Sequence, residues 1–240
     1  MITAKRAYGR VDDRQVKYQR PVASERELRL AIDAALRSDT GAIITLGAPI
    51  PLSGKITIPV SGVVIQGGPA TPIIASAEMP YIFEVKSGTT IAGINVLRAD
   101  ALQPGRAGNF VQDGGVDTEN VIIENCTVGN ACARAVRCTS ILAYQWTLRG
   151  NLFSGSSVPN NVLADVATGW SASGNVFADS FKITSGSWNR VFMNDMVTSN
   201  IDMTGSTSSV IIGNTRSTVL SNGSSLYEVD TSKAFVQLNL

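Results

Sequence analysis

The sequence predicts an all-β chain wound into one solenoid, with a single α-helix ahead of it and an extended basic arm at the N-terminus. Three observations predict this. Short apolar runs end repeatedly on asparagine, at Asn125, Asn151, Asn175, Asn194 and Asn214, at intervals of 26, 24, 19 and 20 residues. A period of this size marks an array in which each repeat buries its apolar face only against its neighbours. Charged residues are 16% and aromatics 6%, while Gly, Ser, Thr and Asn crowd the second half, a composition of short strands and tight turns. The third observation is one amphipathic helix pattern, followed from Ala42 by short strands broken by Gly and Pro.

Residues 1–23 form the arm. Lys5, Arg6, Arg10, Arg14, Lys17 and Arg20 face only Asp12 and Asp13, so residues 1–20 carry a net +4 and the remaining 220 carry −3. No helical or strand period organises the arm, and its apolar content is too low for a core of its own. It is expected to dock on a neighbouring subunit or partner, the alternative being an arm folded back on its own solenoid. The helix is expected over residues 24–38. Ser24 and Glu27 make a capping box, and Leu28, Ala31, Ile32, Ala35 and Leu36 recur as a helical stripe. The stripe needs an apolar surface and the open end of a solenoid needs a cover over its strand edge; one helix meets both needs.

The solenoid takes residues 39–240. Three places before each asparagine stand Ile122, Leu148, Ala172, Val191 and Ile211, an apolar column that should face inward. Turning at asparagine on each coil suggests a stacked ladder, because Asn tolerates the left-handed backbone of a tight corner. Coils near 21 residues would make about nine or ten over residues 42–240, a rod about 45 Å long. A shift of 20 residues maps Lys182 onto Asp202, which predicts an ion pair between adjacent coils. The segment Ala234–Leu240 alternates like a strand and should close or extend the C-terminal end.

The run Leu52-Ser53-Gly54-Lys55-Ile56-Thr57-Ile58-Pro59 and then Gly62-Val63-Val64-Ile65-Gln66-Gly67, behind a helix, resembles the opening of the right-handed parallel β-helix superfamily. That superfamily holds pectate lyases, polygalacturonases and many bacteriophage tailspikes and other phage surface proteins. The likeness covers residues 24–215 and implies a right-handed parallel β-helix; its elements are scaffold, so they carry little about activity.

The chain contains no histidine, which removes Ser-His-Asp and Cys-His arrangements and every His-ligated metal site. Carboxylates are then the remaining candidates for chemistry: a glycosidase needs two across the sugar, and a lyase needs a base with a cation to neutralise developing charge. The best cluster is Asp113, Asp117 and Glu119, ahead of Val121-Ile122-Ile123-Glu124-Asn125-Cys126. It is similar to the polygalacturonase segment in which Asn-Thr-Asp-Gly precedes a Val-x-Ile-x-Asn-Cys strand and then Gly-Asp-Asp. Here the paired aspartates fall on Asn130 and Ala131, so only Asp113 of that acidic set survives. The same three acids also read as turn residues between coils. Trp146 and Trp170 each lie five residues before an asparagine and should stack on adjacent coils. An exposed pair would be a platform for sugar rings, and an inward or intersubunit stack explains the same spacing. Trp188 is out of this register. Cys126, Cys132 and Cys138 lack zinc spacing and read as reduced core residues.

The net charge of +1 gives no hint of nucleic acid, and no run of 18 apolar residues exists to span a membrane. The N-terminus lacks the apolar core of a secretory signal. No cofactor and no metal are expected. The expected function is a non-enzymatic virion structural protein (a phage capsid decoration, spike or tail appendage) made in the host cytoplasm and anchored through the arm. Its partners would be capsid or tail proteins and a surface glycan, and the resemblance implies a homotrimer. The competing expectation is a polysaccharide depolymerase using Asp113, Asp117 or Glu119, or a carbohydrate-binding module using Trp146 and Trp170. Deletion of residues 1–22 is expected to abolish attachment and leave the fold intact.

Overall fold

The computed structural model describes residues 16–17, 21–38, 41–99, 107–154, 158–197, 200–215, 218–220 and 227–229. It is a parallel β-solenoid of about seven turns with one helix before it. Three sheets run along the rod. The first contains Ala42–Thr45, Val63–Gln66, Thr90–Ala92, Ile122–Glu124, Thr147–Arg149, Ser171–Ser173, Arg190–Phe192, Val210–Ile212 and Tyr227–Val229 in spatial order. The second holds the longest strands, among them Met79–Val85, Ala107–Asp113, Cys132–Cys138, Val162–Thr168 and Phe181–Ser187. The third runs from Ile50–Leu52 through Thr127–Val128 to Asp195–Met196.

Coil length is uneven. In the first sheet Val64 pairs with Thr90, Thr90 with Ile122, Ile122 with Thr147, Thr147 with Ser171, Ser171 with Arg190 and Arg190 with Val210. Those steps span 26, 32, 25, 24, 19 and 20 residues, so fewer turns form than a uniform 21-residue coil would make. Seven turns at about 4.8 Å each make a rod about 34 Å long. The extra residues enter where the third sheet passes to the second, as between Phe153 and Val162, and on the second sheet's own side, as between Cys138 and Ala143.

From the strand Thr90–Ala92 onward the first-to-third-sheet corner stays constant. It is built from a residue of positive φ followed by a residue turned inward: Asn125, Gly150, Gly174, Met193 and Gly213 have φ of 53°, 62°, 61°, 54° and 66°, and Cys126, Asn151, Asn175, Asn194 and Asn214 follow them, all buried. The ladder asparagines are therefore not the left-handed residues. Each one's Oδ1 accepts the N–H and the Nδ2 of the asparagine before it, at 2.9–3.0 Å for the three pairs from Asn151 to Asn214. Each Nδ2 also donates to a carbonyl of the preceding coil, Ile123, Leu148, Ala172 and Val191 in turn. Asn125 departs from the expected ladder: it occupies the left-handed place, and Cys126 stands at the ladder's head, its N–H on Asn151 Oδ1 at 2.9 Å. The inward column shifts with it, so buried Ile123, not half-buried Ile122, pairs with Leu148.

A second corner of the same design precedes each strand of the first sheet. Asn120, Gln145, Gly169, Trp188 and Ser208 have φ of 50–71°, and Val121, Trp146, Trp170, Asn189 and Ser209 follow inward. Asn189 Oδ1 accepts the Trp170 N–H at 3.0 Å, and its Nδ2 donates to Ala167 O and Ser206 Oγ. Between the corners the interior is apolar, with Phe83 on Phe110 and Phe177 between Phe153 and Phe181.

The helix Glu25–Ser38 lies on the strands Ala42–Thr45 and Ile50–Leu52. Leu28, Ala31, Ile32 and Ala35 are buried, whereas Leu36 is 48% exposed, so the apolar stripe ends before it. The capping box is present with one difference. Ser24 Oγ accepts the Glu27 N–H, and the Glu27 carboxylate reaches the Ala23 N–H rather than that of Ser24. Glu25 fastens the helix to the first coil by accepting the Ser53 N–H and Oγ–H at 2.7 and 2.9 Å. Arg29 donates to the Gly54 and Lys55 carbonyls. Within the arm, Val16–Lys17 pairs in parallel with Ala42–Ile43, and Val22 bridges Leu46. Two residues are too short to show a strand period, and main-chain pairing does not need one. Lys5, Arg6, Arg10, Arg14 and Arg20, and the segment Ala234–Leu240, lie outside the described residues.

Candidate functional site

The acids singled out in the sequence serve the scaffold. Asp113 ends a strand of the second sheet and is fully buried. Its two oxygens accept the Thr139 N–H and Oγ–H at 3.0 Å and the Ser140 N–H at 2.9 Å. Asp117 Oδ1 accepts the Leu142 N–H at 3.0 Å, so the two aspartates together fasten the Thr139–Leu142 loop of the next coil. Glu119 is exposed, and its N–H donates to Ser87 Oγ. Trp146 and Trp170 stack at 5.2 Å between centroids, inclined by 5°, but both are buried. Trp146 Nε1 donates to Thr118 Oγ1 and Trp170 Nε1 to the Ala143 carbonyl. This is the inward stack that the spacing also allowed; neither indole offers a face to a sugar.

The outer face of the second sheet carries an array of polar side chains. Lys55 Nζ donates to Tyr81 Oη at 2.7 Å and lies 4.8 Å above its ring; Tyr81 Oη donates to Glu84 at 2.5 Å. One coil on, Asn109 Nδ2 donates to Gln112 Oε1 at 2.9 Å. Arg137 makes a two-point contact with Asp165 at 2.9 and 2.8 Å, and Arg134 donates to the Asn160 and Pro159 carbonyls. Lys182 meets Asp202 at 2.7 Å, as the 20-residue shift predicts. Register explains the alignment: Glu84, Gln112, Arg137, Leu163, Lys182 and Asp202 are successive partners across the coils.

The electrostatics of the face follow from these pairs. The Tyr81 hydroxyl holds Lys55 above the usual lysine range. Burial pushes the Asp202 carboxyl up, but Lys182 and the Thr204 donors outweigh it and leave the group below its ordinary value. Burial, with Arg137 beside it, lowers Arg134. The acids bonded on this face already have a cation or hydroxyl partner, so the array suits hydrogen bonding to an extended polar ligand better than paired acid–base chemistry. Among the described residues no group of three or more Cys, Asp or Glu is placed to hold a metal ion. Sequence reading missed Lys55–Tyr81–Glu84 and Arg137–Asp165 because their members lie 26 and 28 residues apart, offsets visible only once each coil's length is known.

Comparison with protein-family models, with curated proteins and with solved structures found no match.

Proposed function

We propose that this chain is a non-enzymatic structural protein of a virus particle, a capsid decoration, spike or tail appendage, held to its partners by the basic N-terminal arm and assembled as a homotrimer. The observation that carries the non-enzymatic reading is Asp113. The one acid that the polygalacturonase resemblance retains is buried and committed to the Thr139–Ser140 turn. Resemblance to phage surface proteins supplies the virion. The arm's +4 against −3 for the rest supplies the anchor, and the Val16–Lys17 strand roots that anchor on the first sheet.

The rooting changes the test. A deletion through residue 22 would strip the strand and the Val22 bridge from the solenoid end, so the informative deletion removes residues 1–15. The full chain is expected to sediment with virus-sized particles from its source. The shortened chain should stay soluble with an unchanged circular dichroism spectrum. Equal sedimentation of both, or of neither, overturns the proposal. A second reading, a polysaccharide-binding or depolymerising protein, is favoured by the polar array from Lys55 to Asp202. Release of reducing or unsaturated ends from a polysaccharide by the full chain would replace the structural reading with that one.

A further inference from the structure

Trp188 sits where the scaffold has no use for a tryptophan. It has φ of 60°, at a corner whose other places are taken by Gly41, Gly62, Gly88, Asn120, Gln145, Gly169 and Ser208, and a side chain with a Cβ makes that conformation less favourable than glycine does. Its indole is 67% exposed, while Trp146 and Trp170 are buried. Neither backbone preference nor burial accounts for the residue.

The surroundings define the ligand. One coil before it is Gly169, whose N–H donates to the Ser187 carbonyl at 2.9 Å and which places no side chain beside the indole. Gln145 Cγ and Tyr144 Cε2 lie 3.4 and 3.8 Å from where a Cβ on Gly169 would stand, so they border the bare step. Alongside the corner, Tyr144, Thr168, Ser187 and Thr207 are partners on successive coils, a file of hydroxyl-bearing residues whose main chains are about 4.8 Å apart. Gln145 Nε2 donates to Tyr144 Oη at 3.3 Å, and Thr207 Oγ1 donates to the Gly186 carbonyl. The Thr168 and Ser187 hydroxyls have no partner among the described residues. The file carries no charge until Glu119, which pairs beside Tyr144 at its N-terminal end. An exposed indole face bordered by uncharged hydroxyls and one amide matches a sugar ring, whose C–H face lies on the indole while its hydroxyls meet the file. Along the file itself an ionic ligand would find no counter-charge; the exposed Arg190 stands two residues after the indole, on the following strand.

We propose that the Trp188 corner binds a neutral saccharide, with further sugar units running along the Tyr144–Thr207 file. The proposal is independent of the arm and of the particle: a chain lacking residues 1–15 should bind sugar unchanged. The test titrates the full chain with neutral hexasaccharides of glucose, mannose, galactose and N-acetylglucosamine, reading calorimetry and acrylamide quenching of tryptophan fluorescence. At least one is expected to shield the indole, with binding at least tenfold weaker in Trp188→Ala. Trp188→Gly suits the left-handed corner and keeps the fold intact, so its expected loss of binding isolates the indole. Absence of binding by all four sugars, or equal binding by Trp188→Gly, overturns the proposal. So does an indole that is already shielded in the free protein in proportion to its concentration, which would assign the corner to a second copy.

Discussion

Asn175 holds three coils together through one amide. Its oxygen accepts from the backbone and side chain of Asn151, and its nitrogen donates to Leu148 O and Asn194 Oδ1. Replacement by alanine would leave several buried polar groups without partners, each expensive in an apolar interior. Asn175→Ala should lower stability by about 3 kcal/mol in urea unfolding. Asn125 closes its apolar run in the same way, yet its φ of 53° gives it the corner's left-handed place. Asn125→Gly should therefore change stability by less than about 0.5 kcal/mol, since glycine accepts that backbone freely. Equal effects of the two substitutions would contradict the one-residue offset between corner and ladder. Asparagine is at home in both places, so residue type by itself does not distinguish them; the step that does is the turn inward after each positive φ.

At the level of elements, the helix Glu25–Ser38 is joined to the first coil by a charged contact as well as by its apolar stripe. Burial raises the Glu25 carboxyl, but the Ser53 donors and Arg29 outweigh it and hold the group below its usual range. A carboxyl depressed in the folded state adds stability above its unfolded value and loses it as pH falls through the folded one. Asp202 acts in the same direction on the second sheet. The urea midpoint should therefore fall as pH is lowered from neutrality into the acid carboxylate range. Glu25→Gln, which lacks one of these contributions from the start, should show a shallower fall; an identical pH profile would mean that the Glu25–Ser53 contact adds nothing. The helix and its cap are legible in the sequence because their signals lie within four residues of one another. Glu25–Ser53 is not, since its partners are 28 residues apart.

For the whole molecule, one apolar interior runs the length of the described solenoid, and the three cysteines report on it. Burial pushes the Cys126 thiol up to about 12 and raises Cys132 and Cys138 as well; all three are free and buried. Neutral, covered thiols are poor nucleophiles. A thiol-specific disulfide reagent at about pH 8 should leave the native protein unmodified and should titrate all three thiols once urea unfolds it. Rapid reaction of one thiol in native buffer would reveal local opening of the coils around residues 126–138. On the outside, charged pairs lie on the second sheet and, at Glu124–Arg149, on the first; the helix and the arm's short strand take the N-terminal end, and Trp188 stands out at a corner.

The sequence by itself determined that the chain is an all-β solenoid, that a capped helix precedes it, that asparagines stack along one corner and that two indoles stack on adjacent coils. These features are local, or recur at a nearly constant corner where two short strands meet with one left-handed residue between them. Only the tertiary structure decided which residue of each corner turns inward, that Trp146 and Trp170 are core while Trp188 is surface, that Asp113 is a buried tie between coils, and which charges pair on the second sheet. Coil length varies from 17 to 32 residues, so contacts across coils have no fixed spacing in the chain, and the side of the wall a residue faces depends on the sign of φ just before it.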